Sequence, residues 1–432
     1  MSNLRRMMMA SGSLVDYPKI DNNLTLLDSF DGWARVLPID KTNQIFWSDL
    51  ANNRNFAILD SSGTEERENQ FLNSQYVALG IPSTYKGYAY IPSSAAAAND
   101  GNIFSKINPT TGFPVWENKY IIDGITGGVR STDNAAHVGE LGAAFILNEN
   151  NNVSYLILLD QDGNHVFTRK FTLPSFSTHT DVLVTDDAVY LAFYTSFGGT
   201  ARLFKFSGSG IGLWDKKYTN MSVQDCHPSL QYHAGKLYYG LGFQEGLQGG
   251  VLILEINPVS GSVVNSGKLY CNTITIGPDT QGDGNRISQK WMVVDDRGIT
   301  VILKDSAPTD IPVLIFQCNH EFTNVNWSRK LSKTSRDMTS LSIYRIQNGY
   351  FYSGHRGGVA PSVQWVETCN LNGESNNNVD YVDYVVSTAT VPLPTEAPEG
   401  DTVVSTPSVV GPTAPLITGS STTSSITIVT TW

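Results

Sequence analysis

The sequence predicts an all-β fold, a seven-bladed β-propeller with extended N- and C-terminal arms. Three observations predict it. A tight turn, most often built on glycine, recurs about every 50 residues. Short aromatic strands keep the same beat, and no long stretch carries a helical apolar period.

The turn glycines are Gly63, Gly112, Gly163, Gly210, Gly261 and Gly373, separated by 49, 51, 47, 51 and 112 residues. The last interval is two periods of 56 with one marker absent. The absent marker falls in Pro312–Leu331, where Cys318-Asn319-His320 takes the turn without a glycine. Seven units therefore lie between about Gly32 and Tyr384. Around each turn a strand leads in, and a strand with an aromatic, a basic residue and another aromatic leads out. Ile103–Lys119 followed by Tyr120 is one such unit. Tyr155–Lys170 with Phe171, Leu203–Lys217 with Tyr218, and Leu252–Lys268 with Leu269 and Tyr270 are others.

Short aromatic strands follow Gly87, Asp187, Gly235, Gly298 and Gly349, each preceded by a hairpin partner. The turn chemistry is that of hairpins: Asn348-Gly349, Asp162-Gly163, and Asn-Pro-x-x-Gly at Asn108 and Asn257. About four short strands per unit, repeated seven times, make blades that bury their faces on one another. The tyrosines Tyr88, Tyr90, Tyr190, Tyr194, Tyr238, Tyr239, Tyr350 and Tyr352 fall inside these strands and are expected to pack between blades. Trp116, Trp214 and Trp327 are expected at equivalent blade positions.

The boundaries drawn from this pattern are an N-terminal arm over 1–31, the propeller over 32–386, and a Pro/Thr/Ser-rich tail over 387–432. Prolines at 392, 394, 398, 407, 412 and 415 keep the tail from forming a helix or a central strand, so it is expected to run extended over a surface. Its end, Ile426-Thr-Ile-Val-Thr-Thr-Trp432, alternates and is β-prone. Ile426, Ile428, Val429 and Trp432 are the expected partner-binding residues, on a sheet edge of a neighbour or of the chain itself.

The chain of 432 residues carries 29 Lys plus Arg against 40 Asp plus Glu, a net charge of −11. That balance argues against nucleic-acid binding and against docking on anionic lipid, and no apolar run has the length of a membrane span. Cys226, Cys271, Cys318 and Cys369 are too sparse and too scattered for a disulfide framework or a zinc site and read as buried thiols. No export signal is apparent in the opening residues.

The chemistry-bearing residues are few. His137, His179 and His227 recur near the expected innermost strands, with Asp133, Asp181, Asp225, Asp283 and Asp337 in or near the same segments. Asp181, His179, Asp225, His227 and Asp283 are the candidates to ring the channel and bind a cation, against a plain role in capping turns. Asp160–Asn164 and Asp279–Asn285 resemble calcium loops but lack the EF-hand spacing. The first reads as the hairpin turn of its blade. No catalytic residue and no cofactor is assigned: no nucleophile elbow, zinc-protease, phosphate-loop or dinucleotide motif occurs in a suitable context.

Two resemblances add to this. Asn108-Pro-Thr-Thr-Gly-x-x-x-Trp116 resembles the blade motif of quinoprotein-like propellers, in which the glycine makes the turn and the tryptophan packs between blades. The opening Leu4-Arg-Arg-Met-Met-Met-Ala10 resembles the start of tail-fibre and other virion proteins of tailed bacteriophages. It implies a structural component of the virion, made in the host cytoplasm. Such a component would be tied to other virion proteins by its terminal arms and would use the propeller for docking or host-surface contact. A carbohydrate-binding or carbohydrate-cleaving propeller acting on a host-surface glycan, and a quinoprotein-like scaffold, are the alternatives.

Overall fold

The computed structural model describes residues 17–20, 25–28, 34–40, 42, 44–49, 55–62, 65–70, 76–79, 82–95, 102–122, 136–150, 153–173, 179–195, 200–221, 223, 228–245, 248–271, 276–277, 290–305, 313–331, 338–356, 363–375, 381–383, 386–398 and 402–413. Among them there are strands and turns and no helix.

Strand β1 (Thr25–Asp28) is the first among the described residues. Blade one holds β2 (Ala34–Pro38), β3 (Ile45–Asp49), β4 (Asn55–Leu59) and β5 (Glu65–Gln70). Blade two sets β6 (Tyr76–Leu79) and β7 (Ser83–Tyr85) on β8 (Tyr88–Ala95), followed by β9 (Asn102–Asn108) and β10 (Phe113–Ile122). Blade three is β11 (Ala136–Gly139), β12 (Gly142–Asn150), β13 (Val153–Leu159) and β14 (His165–Thr172). Blade four is β15 (His179–Val184), β16 (Ala188–Thr195), β17 (Thr200–Ser207) and β18 (Gly212–Thr219). Blade five is β19 (Ser229–His233), β20 (Lys236–Glu245), β21 (Gln248–Ile256) and β22 (Val263–Cys271). Blade six sets β23 (Ile276–Gly277) and β24 (Met292–Asp295) on β25 (Gly298–Asp305), followed by β26 (Val313–Cys318) and β27 (Val325–Leu331). Blade seven is β28 (Met338–Ile346), β29 (Gly349–Arg356) and β30 (Val363–Asn370), with β1 as its outer strand. All pairings are antiparallel, so each blade is a meander of hairpins. The ring is closed by the start of the chain: Leu27 sits opposite Trp365.

The core lies at the seams. Tyr90, Phe104 and Tyr120 of blade two pack with Phe145, Tyr155 and Ile157 of blade three. Equivalent clusters join blades three and four, four and five, and five through seven. Val36, Ile45 and Leu59 of blade one meet Ile346, Phe351 and Val366 of blade seven, with Ile20 between them. Of the eight strand tyrosines, Tyr90, Tyr190, Tyr194, Tyr238, Tyr239, Tyr350 and Tyr352 are fully buried, and Tyr88 is half-buried.

Four seams are keyed by an aromatic ring on a turn. Trp116, Phe167, Trp214 and Trp327 stand at equivalent points of the outer strands, opposite Lys106, Leu158, Lys205 and Gln317. Each ring lies on the turn glycine of the next blade: Trp116 on Gly163, Phe167 on Gly210, Trp214 on Gly261, Trp327 on Gly373. These glycines have φ between 72° and 83°, so the turn needs a left-handed residue and the ring needs one without a side chain. Trp116 Nε1–H donates to Gln161 O (3.0 Å) and Trp214 Nε1–H to Pro258 O (3.1 Å). Lys106 and Lys205 donate to the same two carbonyls at 3.2 and 2.9 Å.

The seam between blades five and six reverses the arrangement. The tryptophan position in β22 is Asn265, opposite Glu255. The turn glycine of blade six is replaced by Phe322, whose amide still closes the turn on Asn319 O (3.2 Å) at φ 58°. The ring now comes from the turn, and it packs on Gly267 of the preceding blade. This is the marker that the sequence repeat lacked.

Past blade seven the chain turns back round the ring. Strands β31 (Tyr381–Asp383), β32 (Ser387–Thr390), β33 (Thr395–Ala397), β34 (Val403–Ser405) and β35 (Val409–Thr413) lie on blades six, five, four, three and two in that order. Each adds an outermost strand, pairing with the end of β27, β22, β18, β14 or β10. The paired ends carry the basic residue and apolar neighbour of the sequence repeat: Lys330-Leu331, Lys268-Leu269, Lys217-Tyr218, Lys170-Phe171, and Lys119 in β10. Side chains staple the strap across seams. Thr388 donates to Phe322 O (3.0 Å), and Glu396 accepts from Val263 N–H (2.6 Å). Strand pairing thus crosses both boundaries drawn from composition: 25–28 belongs to blade seven's sheet, and 387–413 lies on the chain's own blades. Residues 1–16 and 414–432, with Ile426, Ile428, Val429 and Trp432, lie outside the described residues.

Candidate functional site: the axial channel and one of its mouths

The innermost strands β2, β7, β11, β15, β19, β24 and β28 line the axis, each beside the innermost strand of its neighbours. Side chains of one blade satisfy the edge of the next. Val184 N–H donates to His137 Nδ1 (3.1 Å), across the seam between blades three and four. Leu230 N–H donates to Asp181 Oδ2 (2.7 Å), across the seam between four and five, while Val182 N–H donates to Oδ1 (2.9 Å). Ile343 N–H donates to Lys290 O (2.7 Å) between six and seven.

The Lys290 charge is felt by both Asp181 and His137. Burial pushes the Asp181 carboxyl up to about 7, against the lowering effect of its two backbone donors and of Lys290. Burial pushes Lys290 down, with Asp181 opposing. Burial and the Lys290 charge push His137 well down, so its imidazole is neutral at neutral pH. Both oxygens of Asp181 are engaged by backbone N–H groups, which is the geometry of an edge cap.

The five metal candidates are not brought together in the described residues. Asp181 is the one whose side chain is described. His179 lies in the inner strand β15, opposite Tyr194. Asp225, His227 and Asp283 lie outside the described residues, as do Asp133, Asp337 and the 279–285 loop. Among the described residues no group of three or more His, Cys, Asp or Glu could hold a metal ion. Asp160 accepts from Asp162 N–H (2.9 Å) and Asn164 N–H (2.8 Å), which makes 160–164 the blade's hairpin turn. Cys271, Cys318 and Cys369 are buried, and burial pushes the Cys318 thiol up to about 12.

At one mouth of the channel the first hairpin turns of the blades converge. Lys86 N–H and Gly87 N–H of blade two donate to Asp40 of blade one at 2.5 and 3.2 Å. Lys86 pairs with Glu140 of blade three (2.7 Å). His233 of blade five lies 3.1 Å from Asp296 of blade six. Arg345 of blade seven pairs with Asp295 of blade six (2.8 Å). Tyrosines stand among these acids. Burial raises Tyr85, with a hydrogen bond to Glu140 and the charges of Glu140, Asp186 and Asp40 adding to it. Burial then Asp187 and Asp186 raise Tyr232, which is exposed. Burial then Asp295 raise Tyr17, with Arg345 opposing.

Sequence reasoning placed His137 and His179 on innermost strands and missed Lys290 and the tyrosine-acid mouth. A signal for the mouth exists in the sequence. Asp40, Lys86, Glu140, Asp186-Asp187 and Asp296-Arg297 repeat on the blade period, a charged turn in each of blades one, two, three, four and six.

No family model matches the chain, and no curated protein matches it. Solved propellers are similar in shape. BBS1N, crystallised in complex with ARL6DN, aligns at TM-score 0.45 and 11% identity over 81% of this chain and 96% of that one. Polysaccharide lyase Uly1 aligns at TM-score 0.44 and 8% identity over 84% and 93%. A subtype N10 neuraminidase-like protein of A/little yellow-shouldered bat/Guatemala/060/2010 aligns at TM-score 0.39 and 8% identity over 66% and 93%. At these scores the likenesses carry no argument about function, and the seven blades stand on the strand pairing itself. No helix among the described residues is long and apolar enough to cross a membrane.

Proposed function

We propose that this protein is a non-enzymatic structural component of a bacteriophage virion, a tail, fibre or surface-displayed protein whose propeller is a docking disc. The observation that supports it is the C-terminal strap. The chain lays β31–β35 over five blades and staples their seams, which holds a ring against unravelling and adds no chemistry. The channel groups His137 and Asp181 are engaged on strand edges in the same structural manner. The quinoprotein-like blade motif and the basic, methionine-rich opening belong to the same proposal. Mass spectrometry of density-purified particles from the source, with immunogold labelling, tests it. Peptides of this chain at a fixed ratio to the major coat protein are expected. Their absence from particles while the protein accumulates free would overturn the reading.

A second reading, a glycan-binding or glycan-cleaving propeller, is favoured by the mouth. Tyr85, Tyr232 and Tyr17 beside Asp40, Glu140, Asp186, Asp187 and Asp295 offer ring faces and carboxylate acceptors, the two features that grip sugars. Glycan-array binding that falls more than tenfold in Tyr232→Ala, with unchanged thermal stability, is its expected signature. No binding by the parent protein would remove it. Release of reducing ends would replace the non-enzymatic reading by a cleaving one.

A further inference from the structure

The seam between blades four and five carries two exposed features that the ring does not need. The registers Ala188↔Ser207 and Leu237↔Ile256 place the first and third hairpin turns of each blade at the same end, so both features lie on the face that holds the mouth. At the inner end stand Asp186 and Asp187 of blade four and Tyr232 of blade five. Both carboxylates are exposed, and their charges add to the burial that raises the Tyr232 phenol, itself 41% exposed. At the outer end stand Leu213 of blade four, 51% exposed, and Val259 of blade five, 82% exposed.

Neither apolar residue is demanded by its backbone position. Val259 takes the turn position whose N–H donates to the side-chain oxygen of the turn's first residue, Asn257 (2.9 Å). Thr110, Asp162 and Asn372 take that position in blades two, three and seven, and all three are polar. Leu213 is the extra residue of a bulge, between the pairs Lys205↔Trp214 and Phe206↔Gly212. Blade six fills the same bulge position, between Gln317↔Trp327 and Cys318↔Val325, with the exposed Asn326. Bulges at sheet edges re-aim side chains, and this one leaves a leucine in water.

A continuous floor joins the two ends. The Tyr190 ring lies 6.0 Å from the Trp214 ring. Lys205 Nζ lies 5.3 Å over Tyr190 and donates to Pro258 O (2.9 Å), the carbonyl that also takes the Trp214 indole N–H (3.1 Å). Leu213 precedes Trp214 in the chain, and Val259 follows Pro258. Lys205 is 4.0 Å from Asp187, so one cation faces two carboxylates and the inner end stays net negative. From the innermost strand of a blade to its outer hairpin turn is two to three strand spacings, about 10–14 Å, which an extended chain covers in about three or four residues.

We propose that this seam is a docking groove for an extended segment of a partner protein, which sets a lysine or arginine between Tyr232 and the Asp186-Asp187 carboxylates and, about three or four residues away, an apolar side chain on Val259 and Leu213. The cation meets a ring face and net negative charge, and the apolar group covers exposed apolar surface. A second copy docked face to face would set these acids against their own counterparts. A sugar is gripped by rings and carboxylates and leaves the exposed valine unexplained. The inference rests on the docking-disc reading of the propeller and holds for a partner inside or outside a particle.

Fluorescence anisotropy of the full-length protein with labelled extended peptides tests it. Each peptide holds one arginine and one leucine in a Ser/Thr background, at separations from about one to eight residues, bracketing the expected span. The tightest binding is expected at separations of about three and four, and at least about tenfold weaker binding when glutamate replaces the arginine or serine the leucine. Val259→Ser should remove the leucine preference. Asp186→Asn combined with Asp187→Asn should remove the arginine preference and the salt dependence. Thermal midpoints should hold in both, because these side chains are exposed. No peptide bound above a Ser/Thr control would overturn the proposal, as would preferences that survive both variants. So would glycan binding through Tyr232 in a protein that binds no peptide, or a dimer by light scattering that Val259→Ser dissolves, because the groove would then belong to a sugar or to a second copy. Peptide binding by a protein that is absent from purified particles would remove the virion reading and leave this one standing.

Discussion

The reversed seam between blades five and six can be tested by a double-mutant cycle on Gly267 and Phe322. In Gly267→Ala the new methyl would overlap the Phe322 ring, whose Cδ1 lies 2.6 Å from the ideal Cβ position. Phe322 is buried and sits on a left-handed turn, so neither ring nor backbone has an easy retreat. Overpacking of this kind costs about 1–3 kcal/mol. Phe322→Gly removes a buried ring, a loss of about 3–5 kcal/mol by analogy with truncation to alanine. It also relieves about 1–2 kcal/mol of left-handed strain. Its net cost is therefore about 1–4 kcal/mol. In the double variant the ring is gone, and the methyl at 267 meets open space. The cost of Gly267→Ala should then fall to within about 0.5 kcal/mol of zero, a coupling of at least about 1 kcal/mol between the sites. Guanidinium unfolding with tryptophan fluorescence measures the four midpoints, with m checked for constancy. If Gly267→Ala costs the same with and without Phe322, the ring does not key this seam and the reasoning fails.

Three further outcomes follow from the same geometry. The Asp181 carboxyl has its folded value raised to about 7, so the folded state disfavours its charge. Its stabilising contribution is full below about pH 4 and is lost as pH rises towards 7. Between pH 4.5 and 7.5 the unfolding midpoint of the parent relative to Asp181→Asn should fall as pH rises. Glu117, raised to about 7 by burial, and His137 and His165, lowered by burial, act with opposite signs in both proteins and cancel in the difference, and an unchanged slope in Asp181→Asn would refute the assignment. Trp214 donates across its seam, whereas the buried Trp327 Nε1–H has no partner among the described residues. Trp214→Phe should therefore lower stability by about 1 kcal/mol more than Trp327→Phe, as read from denaturant midpoints; equal losses would count against it. A chain ending at residue 386 uncovers the outer edges of blades two to five, and light scattering should show self-association by edge pairing. A monomer of parental stability would show that the strap closes nothing.

The blade count was legible because its signal is local. Asn108-Pro-x-x-Gly112 and Asp160-x-x-Gly163 dictate their turns within five residues, and the left-handed position in each leaves a glycine visible in the sequence. Phe322 broke the rule because its ring is held on Gly267, 55 positions earlier, a compensation with no local trace. The strap was legible as a chain that avoids helix, since its prolines say so, but not as part of the sheets. A Thr/Pro segment pairs through its backbone, and backbone donors leave no mark on composition. The channel was half legible. His137 and His179 announced the inner strands, while Lys290 precedes a short strand after a long connection and gave no periodic cue. The mouth is assembled from turns and strand ends of different blades, so single-residue chemistry could not reveal it. A charged turn in each of several blades was the readable sign.

The lysine followed by an apolar residue at the end of each outer strand ties sequence repeat to ring mechanics. The repeat exists in blades two to six, and those are the five blades that carry a strap strand. In Lys217-Tyr218 the buried tyrosine hydroxyl donates to Gly261 O (2.7 Å) in the next blade, while the same residue's backbone pairs with Glu396 of the strap. Glu396 in turn accepts from Val263 N–H of that next blade. One pair of residues thus joins three segments distant in sequence. Opening the seam between blades four and five must break the tyrosine bond and the strap's carboxylate bond together. A four-stranded blade without the strap has only the first. That coupling ties the ring's outer rim to this seam, and the lysine-apolar end recurs where a strap strand lies and is missing from β1 and β5, whose ends read Leu27-Asp28 and Asn69-Gln70.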